Sequence, residues 1–423
     1  MKLAVIGAGS TYTPELVSGL MRERERIDVR ELVLHDIDPD RREVVGGLAT
    51  RILERHGFSG ALAITGELDR ALDGADAVLI QIRVGGQAGR LRDETIPAAC
   101  GCVGQETTGA GGLAMAMRTV PVVLEIAQRT RELASGDAWI IDFTNPVGIV
   151  TRALLDAGHR AIGLCNVAIN FQRQIAGHLG VPPDRVLVDQ VGLNHLTWIR
   201  AVWVDGRDVL AEVISGYGDA LAHEIGLPRA LIEELGAIPS YYLRYFYAER
   251  EVVQEQRMTT PRAQTVAEIE RSLLDLYRDP SLTDKPALLE QRGGAFYSEG
   301  AIQLVASLLA DSGDVQVVDV RNGGALPGLA DDDAVEVPAR IGRDGAVPLP
   351  QPPLAPELLG LVQHVAAYER LAASAAASGR HDTARLALMA NPLVREYRLA
   401  DSLTERMLAA ETRPPLTRTG ESR

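Results

Sequence analysis

The sequence predicts an α/β protein, with an N-terminal doubly wound parallel sheet followed by a mixed α+β region. Three observations predict it. Short apolar runs alternate with helical patterns over the first 168 residues. A glycine-rich turn, Gly7-Ala8-Gly9-Ser10, follows the first apolar run. After residue 168 the alternation stops, and longer strand patterns and Ala-rich helical patterns take over.

Residues 2–6 read as the first strand. Thr13-Pro14-Glu15 then opens an amphipathic helix, with Thr13 suited to the N-cap and Pro14 to the first helical position. A strand, a tight Gly turn and a helix start make a Rossmann-like anion cradle, because unpaired N–H groups converge there. The dinucleotide fingerprint asks for a third Gly, and Tyr12 stands in its place. A dinucleotide site at Gly7, Gly9 and Ser10 and a plain βα turn both remain open. The next strand, Glu31 to Asp36, ends in an acid. Asp36 there suits the ribose hydroxyls of NAD and repels a 2′-phosphate. Alternatively Asp36 or Asp38 caps the helix that starts near Pro39. Strands are expected at 61–65, 77–82, 138–143 and 161–167, and helices at 117–133 and 147–157.

Two expected loops follow strand ends. One runs from Arg83-Val84-Gly85-Gly86, past Arg90, to Gly104-Gln105-Glu106-Thr107 and Gly112. Arg83 and Arg90 can grip an anion by bidentate hydrogen bonds or simply face solvent. The other is Asp142-Phe143-Thr144-Asn145-Pro146, where Asn145 can hold a sugar hydroxyl or cap a helix. The run Ala161 to Val167 places Cys165 and Asn166 at a strand end. His195, in Gly192-Leu193-Asn194-His195, is the nearest downstream residue able to share a metal with Cys165. A buried thiol and a satisfied histidine are the ordinary alternatives.

Beyond residue 168, strands are expected at 186–191, 197–204 and 315–320. Helices are expected at 241–250, 262–279, 300–312 and 355–378. Residues 1–168 are read as one unit, 169–411 as a second, and 412–423 as a frayed tail.

The 423 residues suffice for two domains, and 46% hydrophobic with 24% charged residues is ordinary for a soluble fold. A net charge of −14 argues against nucleic-acid or anionic-membrane partners. Cys100, Cys102 and Cys165 are too few for a disulfide framework and fit a reduced, cytoplasmic protein. No stretch reads as a membrane span, and the N-terminus lacks the features of a signal peptide.

The ordered set Gly7-Ala8-Gly9-Ser10, Arg83-Val84-Gly85-Gly86, Gly104-Gln105-Glu106-Thr107, Thr144-Asn145-Pro146, Cys165-Asn166-Val167, Gly192-Leu193-Asn194-His195 and Tyr242-Leu243-Arg244-Tyr245 resembles glycoside hydrolase family 4, in its 6-phospho-β-glucosidase branch. The likeness extends through Gly293 to Ser298 and Tyr368-Glu369-Arg370-Leu371.

That resemblance implies an unusual glycosidase, which uses NAD rather than a carboxylate pair. NAD⁺ takes a hydride from C3 of the sugar, a base removes the acidified C2 proton, the aglycone leaves by elimination, water adds, and the hydride returns. A divalent metal, Mn²⁺ in the family, holds the C2 and C3 oxygens. By resemblance Cys165 and His195 are the metal ligands and Tyr242 is the base. Arg90, Asn145, Asn166 and Arg262 bind substrate. Gly7, Gly9, Ser10, Asp36 and Glu106 bind the cofactor. The expected substrate is a small phosphorylated β-glucoside, and a homodimer or homotetramer is expected. Asn166 stands where α-specific members have Asp, and Ala168 where the β branch has Pro. The alternatives are a relative acting on unphosphorylated glycosides and an NAD-dependent dehydrogenase of the 2-hydroxy-acid type.

Overall fold

The computed structural model describes residues 1–293 and 296–408. The tail expected at 412–423 lies outside these residues, as do Gly294 and Ala295. Six strands are parallel: β1 (Lys2–Ile6), β2 (Glu31–His35), β3 (Ala61–Thr65), β4 (Ala77–Ile80), β5 (Trp139–Asp142) and β6 (Ala161–Gly163). Their order is β3-β2-β1-β4-β5-β6. The chain winds outward from β1 in both directions, so the crevice at the strand C-termini opens between β1 and β4. Leu3 to Ile6 and Ala77 to Ile80 are buried, which explains their unbroken apolar runs. The helices covering this half are α1 (Thr13–Arg22), α2 (Pro39–Arg55), α3 (Leu68–Leu72), α4 (Gly86–Ala99), α5 (Gly109–Leu133), α6 (Val147–Asp156) and α7 (Val167–Leu179).

The sheet does not end at β6. It continues through antiparallel strands: β7 (Val186–Leu193), β8 (Leu196–Val204), β9 (Arg207–Asp208), β10 (Ile238–Pro239), β11 (Val315–Arg321), β12 (Ala334–Gly342) and β13 (Gly345–Pro348). The full path is β10-β8-β7-β12-β11 and then β6, with β13 on β12 and β9 on β8. One pairing, Asp319 opposite Gly163, joins β11 to β6.

Several expectations are corrected. Tyr12, not Thr13, is the N-cap of α1, and it makes no side-chain capping bond. Thr13 instead donates its hydroxyl to the Ala8 carbonyl at 2.8 Å, bracing the glycine turn. The strand expected over 161–167 stops at Gly163, and Val167 already begins α7. The long Gly-rich loop is mostly helix, because α4 starts at Gly86 and α5 at Gly109. Some of its glycines serve close packing: a Cβ on Gly104 would collide with the Glu94 carbonyl, and one on Gly111 with the Gln105 carbonyl. α5 is also 25 residues long and apolar enough to cross a membrane by length and composition, contrary to expectation. It is a core helix, flanked by α4, α6 and the helix Pro356–Ser378.

Candidate active site

The parallel strands deliver the expected residues to one edge. Gly7, Asp36, Arg83, Asn145 and Cys165 follow the C-terminal ends of β1, β2, β4, β5 and β6. Backbone groups build the β1–β2 side of this edge. Gly7 (φ 90°) and Ala8 both donate to the His35 carbonyl, at 2.9 and 2.8 Å. A Cβ on Gly7 would lie 2.8 Å from the Gln81 carbonyl oxygen, so only glycine permits the turn. Gly9 N donates to Asp36 Oδ2 at 2.8 Å. Asp38, not Asp36, caps α2, accepting from the N–H groups of Asp40 and Arg41. Capping therefore accounts for Asp38 and leaves Asp36 turned to the glycine turn. Ser10 Oγ accepts from Tyr12 N at 3.2 Å and closes the turn.

Sequence reasoning missed the polar ring beside this turn. Arg41 donates to the Gly9 carbonyl at 3.1 Å and lies 3.4 Å from Glu270, which also pairs with Arg292 at 3.0 Å. Neither Glu270 nor Arg292 sits in a motif that signals a role.

Side chains from distant segments build the other end. β7 and β8 form a hairpin whose last pair is Leu193 with Leu196, so Asn194-His195 is a two-residue turn. His195 takes the left-handed position (φ 62°), which costs a non-glycine residue about 1–2 kcal/mol. Its ring is buried and stacks on Tyr242, with centroids 3.6 Å apart and planes 10° apart. Nδ1 of His195 lies 2.9 Å from the Thr107 hydroxyl. Burial lowers its pKa to about 3, so the imidazole is neutral. The Val167 backbone N–H and the Asn194 amide lie close enough to the Cys165 sulfur to favour its thiolate form. Burial, then the nearby Glu336 carboxylate, pushes this thiol well above its ordinary range. Burial and the neighbouring Tyr241 and Cys165 likewise raise the Tyr242 phenol.

A carboxylate–arginine network faces Tyr242. Burial alone would raise the pKa of Glu106, but Arg83 and Arg90 outweigh it and hold the carboxylate charged. Arg83 hydrogen-bonds Glu106, and Arg90 reaches it at 3.3 Å. Arg90 Nε also donates to Glu94 Oε1 at 2.7 Å, while Glu94 Oε2 accepts from Ala263 N at 2.8 Å. Glu94 thus ties Arg90 to the start of the helix Arg262–Tyr277. Arg262 itself is exposed and donates to the Gln291 carbonyl at 2.9 Å. Asn145 does not cap α6, whose N-cap is Pro146, and its buried Oδ1 has no hydrogen-bond partner among the described residues. Asn166 is buried at the N-cap of α7. A cavity of about 160 Å³, walled by Ile169, Tyr297 and Gln316, reaches Cys165 and Asn166. A larger one of about 590 Å³ lies outward, by Arg26 and Asp314, and touches no expected site residue.

Beneath Cys165 sits a layer of buried acids. Asn194 Nδ2 donates to Glu336 at 2.9 Å and to Asp319 at 3.4 Å. Burial raises Glu336 to about 7 and Glu369 to about 8. Among the described residues, no three His, Cys, Asp or Glu side chains group to hold a metal ion. Cys165 and His195 would offer a cation one sulfur and one nitrogen. Those two donors fit a cation whose other positions go to substrate and water. The glycine turn with Asp36 fits a dinucleotide.

Comparisons with known proteins agree with this geometry. The profile described as family 4 glycosyl hydrolase matches residues 2–181, and that of the family 4 C-terminal domain matches residues 190–394. The chain is 39% identical over 425 residues to the probable 6-phospho-beta-glucosidase of Bacillus subtilis strain 168, covering 97% of this chain and 96% of that protein. The 6-phospho-beta glucosidase of Thermotoga maritima, solved with manganese, NAD+ and glucose-6-phosphate, matches with a TM-score of 0.90 at 33% identity, over 97% of this chain and 98% of that one. A 6-phospho-alpha-glucosidase from gut microorganisms, solved with NAD and glucose-6-phosphate, gives 0.89 at 27% identity, over 97% of each chain. With both profiles matched in order along one continuous sheet, the chain belongs to the family 4 glycosyl hydrolases.

Proposed function

We propose that this chain hydrolyses 6-phospho-β-glucosides with the help of NAD and a divalent cation. One observation carries the reading: a half-buried phenol, on Tyr242, meets a buried imidazole and a buried thiol, on His195 and Cys165, at the mouth of the sheet. Higher identity to the β-acting relative than to the α-acting one, and Asn166 in place of an acid, support the β linkage.

When bound, NAD⁺ accepts a hydride from sugar C3 and later returns it, while a cation such as Mn²⁺ polarises the oxygens on C2 and C3. The residues then divide the remaining work. Gly7, Gly9 and Ser10 shape the turn against the dinucleotide, and Asp36 receives its ribose. Cys165 as thiolate and neutral His195 hold the cation. Tyr242 takes the C2 proton. Its burial opposes ionisation, so it depends on a facing cation, and Arg90 lies close enough to feel its charge. Asn145 offers its unpartnered Oδ1 to a sugar hydroxyl. Asn166, Arg90 and Arg262 complete the sugar and phosphate contacts. Glu106 orders Arg83 and Arg90 on the nicotinamide side. Residues 1–168 form the nucleotide unit and 169–411 the unit for substrate, metal and assembly. A cytoplasmic homodimer or homotetramer with reduced thiols completes the reading.

The test is hydrolysis of an aryl 6-phospho-β-glucoside with NAD⁺ and Mn²⁺ each supplied or withheld under reducing conditions. We expect aglycone release that needs both, with no net NADH. Cleavage of the unphosphorylated glucoside alone would remove the phosphate from the substrate. NADH accumulation without cleavage would replace the hydrolase with a dehydrogenase.

A further inference from the structure

His195 is the one proposed metal ligand whose binding atom depends on where a proton sits. A neutral imidazole has a single N–H, and only the other nitrogen can bind a cation. Nothing in the family motifs says which nitrogen that is. The hydrogen bonds around Thr107 answer the question.

Gln105 Oε1 accepts from the Thr107 backbone N–H, and the Thr107 hydroxyl lies 2.8 Å from the same oxygen. A backbone N–H can only donate, so it fixes the Gln105 amide with its oxygen toward Thr107. The Thr107 hydroxyl owns one proton. Two oxygens at 2.8 Å need a proton between them, and the Gln105 oxygen has none. The hydroxyl proton is therefore spent on Gln105. The hydroxyl oxygen, 2.9 Å from His195 Nδ1, is left as an acceptor. The parallel stack on Tyr242 covers a face of the ring and leaves the ring edge to make these bonds.

We propose that the relay Gln105–Thr107–His195 fixes the proton of His195 on Nδ1 and reserves Nε2 for the metal. Gln105 and Thr107 are positioning residues: they touch neither sugar nor cofactor in this account. The inference rests on the reading of His195 as a metal ligand. Its own content, the tautomer, is a property of the metal-free protein.

The experiment uses the full-length, metal-free protein with ¹⁵N-labelled histidine, the His195 signals being identified by their loss in His195→Gln. We expect a protonated Nδ1 and an unprotonated Nε2 in wild type and in Thr107→Ser. Thr107→Val keeps the volume but offers no acceptor, and the fixed tautomer should be lost. Gln105→Leu frees the Thr107 hydroxyl to turn toward Nδ1, so Nε2–H should appear although Thr107 is intact. Mn²⁺ binding in the presence of NAD⁺, read by electron paramagnetic resonance, should weaken about 10–100-fold in Thr107→Val and stay within about threefold in Thr107→Ser. A wild-type signal with the proton on Nε2 overturns the relay, whatever the metal does. If His195→Gln binds Mn²⁺ as wild type does while the tautomer behaves as stated, the relay stands and the metal reading of His195 falls.

Discussion

The two ends of the crevice are built in opposite ways. The end proposed for the nucleotide is made mainly of backbone: Gly7 and Ala8 N–H groups hold the His35 carbonyl, and Gly9 N–H holds the Asp36 carboxylate, all within adjacent βα turns. The end proposed for sugar and metal is made of side chains from distant segments: Cys165 after β6, His195 in a hairpin turn, Tyr242 some 47 residues later, Arg90 in α4 and Glu106 on the α4–α5 connection. A backbone site is broken by adding atoms. A side-chain site is broken by removing them.

Substitutions sharpen that contrast, and Tyr242→Phe carries the largest expected effect. Losing the proton acceptor should lower kcat by about 10²–10⁴ with KM little changed. Retained NAD⁺ and Mn²⁺ binding would separate lost chemistry from lost structure. Next comes Gly9→Ala, whose new Cβ would meet Asp36 Cγ at 2.6 Å. We expect NAD⁺ affinity to fall about tenfold or more, each factor of ten being 1.36 kcal/mol, with Mn²⁺ binding nearly unchanged. Equal losses of both ligands would show that the two ends are not separable. A smaller effect is expected of Glu94→Gln, which weakens the tie between Arg90 and the Ala263 N–H. Steady-state kinetics should give a KM raised about tenfold and a smaller change in kcat, as loss of a charge-assisted hydrogen bond predicts.

The smallest effect concerns the buried acids. Glu369 has its folded pKa raised to about 8, above its value in an unfolded chain. The stability it contributes is full below the unfolded pKa, near 4.3, and is lost as pH rises toward 8. Glu369→Gln should therefore flatten the fall in Tm between pH 5 and 8, raising Tm at pH 8 by about 2–4 °C. A variant that lowers Tm equally at both pH values would mean the carboxylate is not held neutral by burial.

The same contrast decides what could be read from the sequence. The central parallel strands β1 and β4 are buried on both faces, so their apolar runs are continuous, and the glycine turn and Asp36 lie close together after β1 and β2. These were legible from local pattern alone. The Gly-rich stretch 83–112 was misread as a loop, because glycine signals both flexibility and close packing, and here Gly104 and Gly111 serve packing. Cys165 and His195 could be paired as candidates, but their surroundings could not. Asn194 reaching Glu336 and Asp319, and Glu94 reaching Ala263, join residues more than 120 apart. No period or spacing encodes such a bond. The antiparallel strands β12 and β13 were missed for a related reason, since Pro338, Gly342 and Gly345 interrupt the strand pattern.

The pairing of Asp319 with Gly163 has a mechanical consequence. Because strand pairing runs without a gap from β3 to β10, the two ends of the crevice share one floor. Ligand exchange is then expected to move the helices and connections above that floor. The same continuity would make folding free energy common property: a dinucleotide seated as proposed against β1 and β2 should protect the distant β7–β8 hairpin from unfolding.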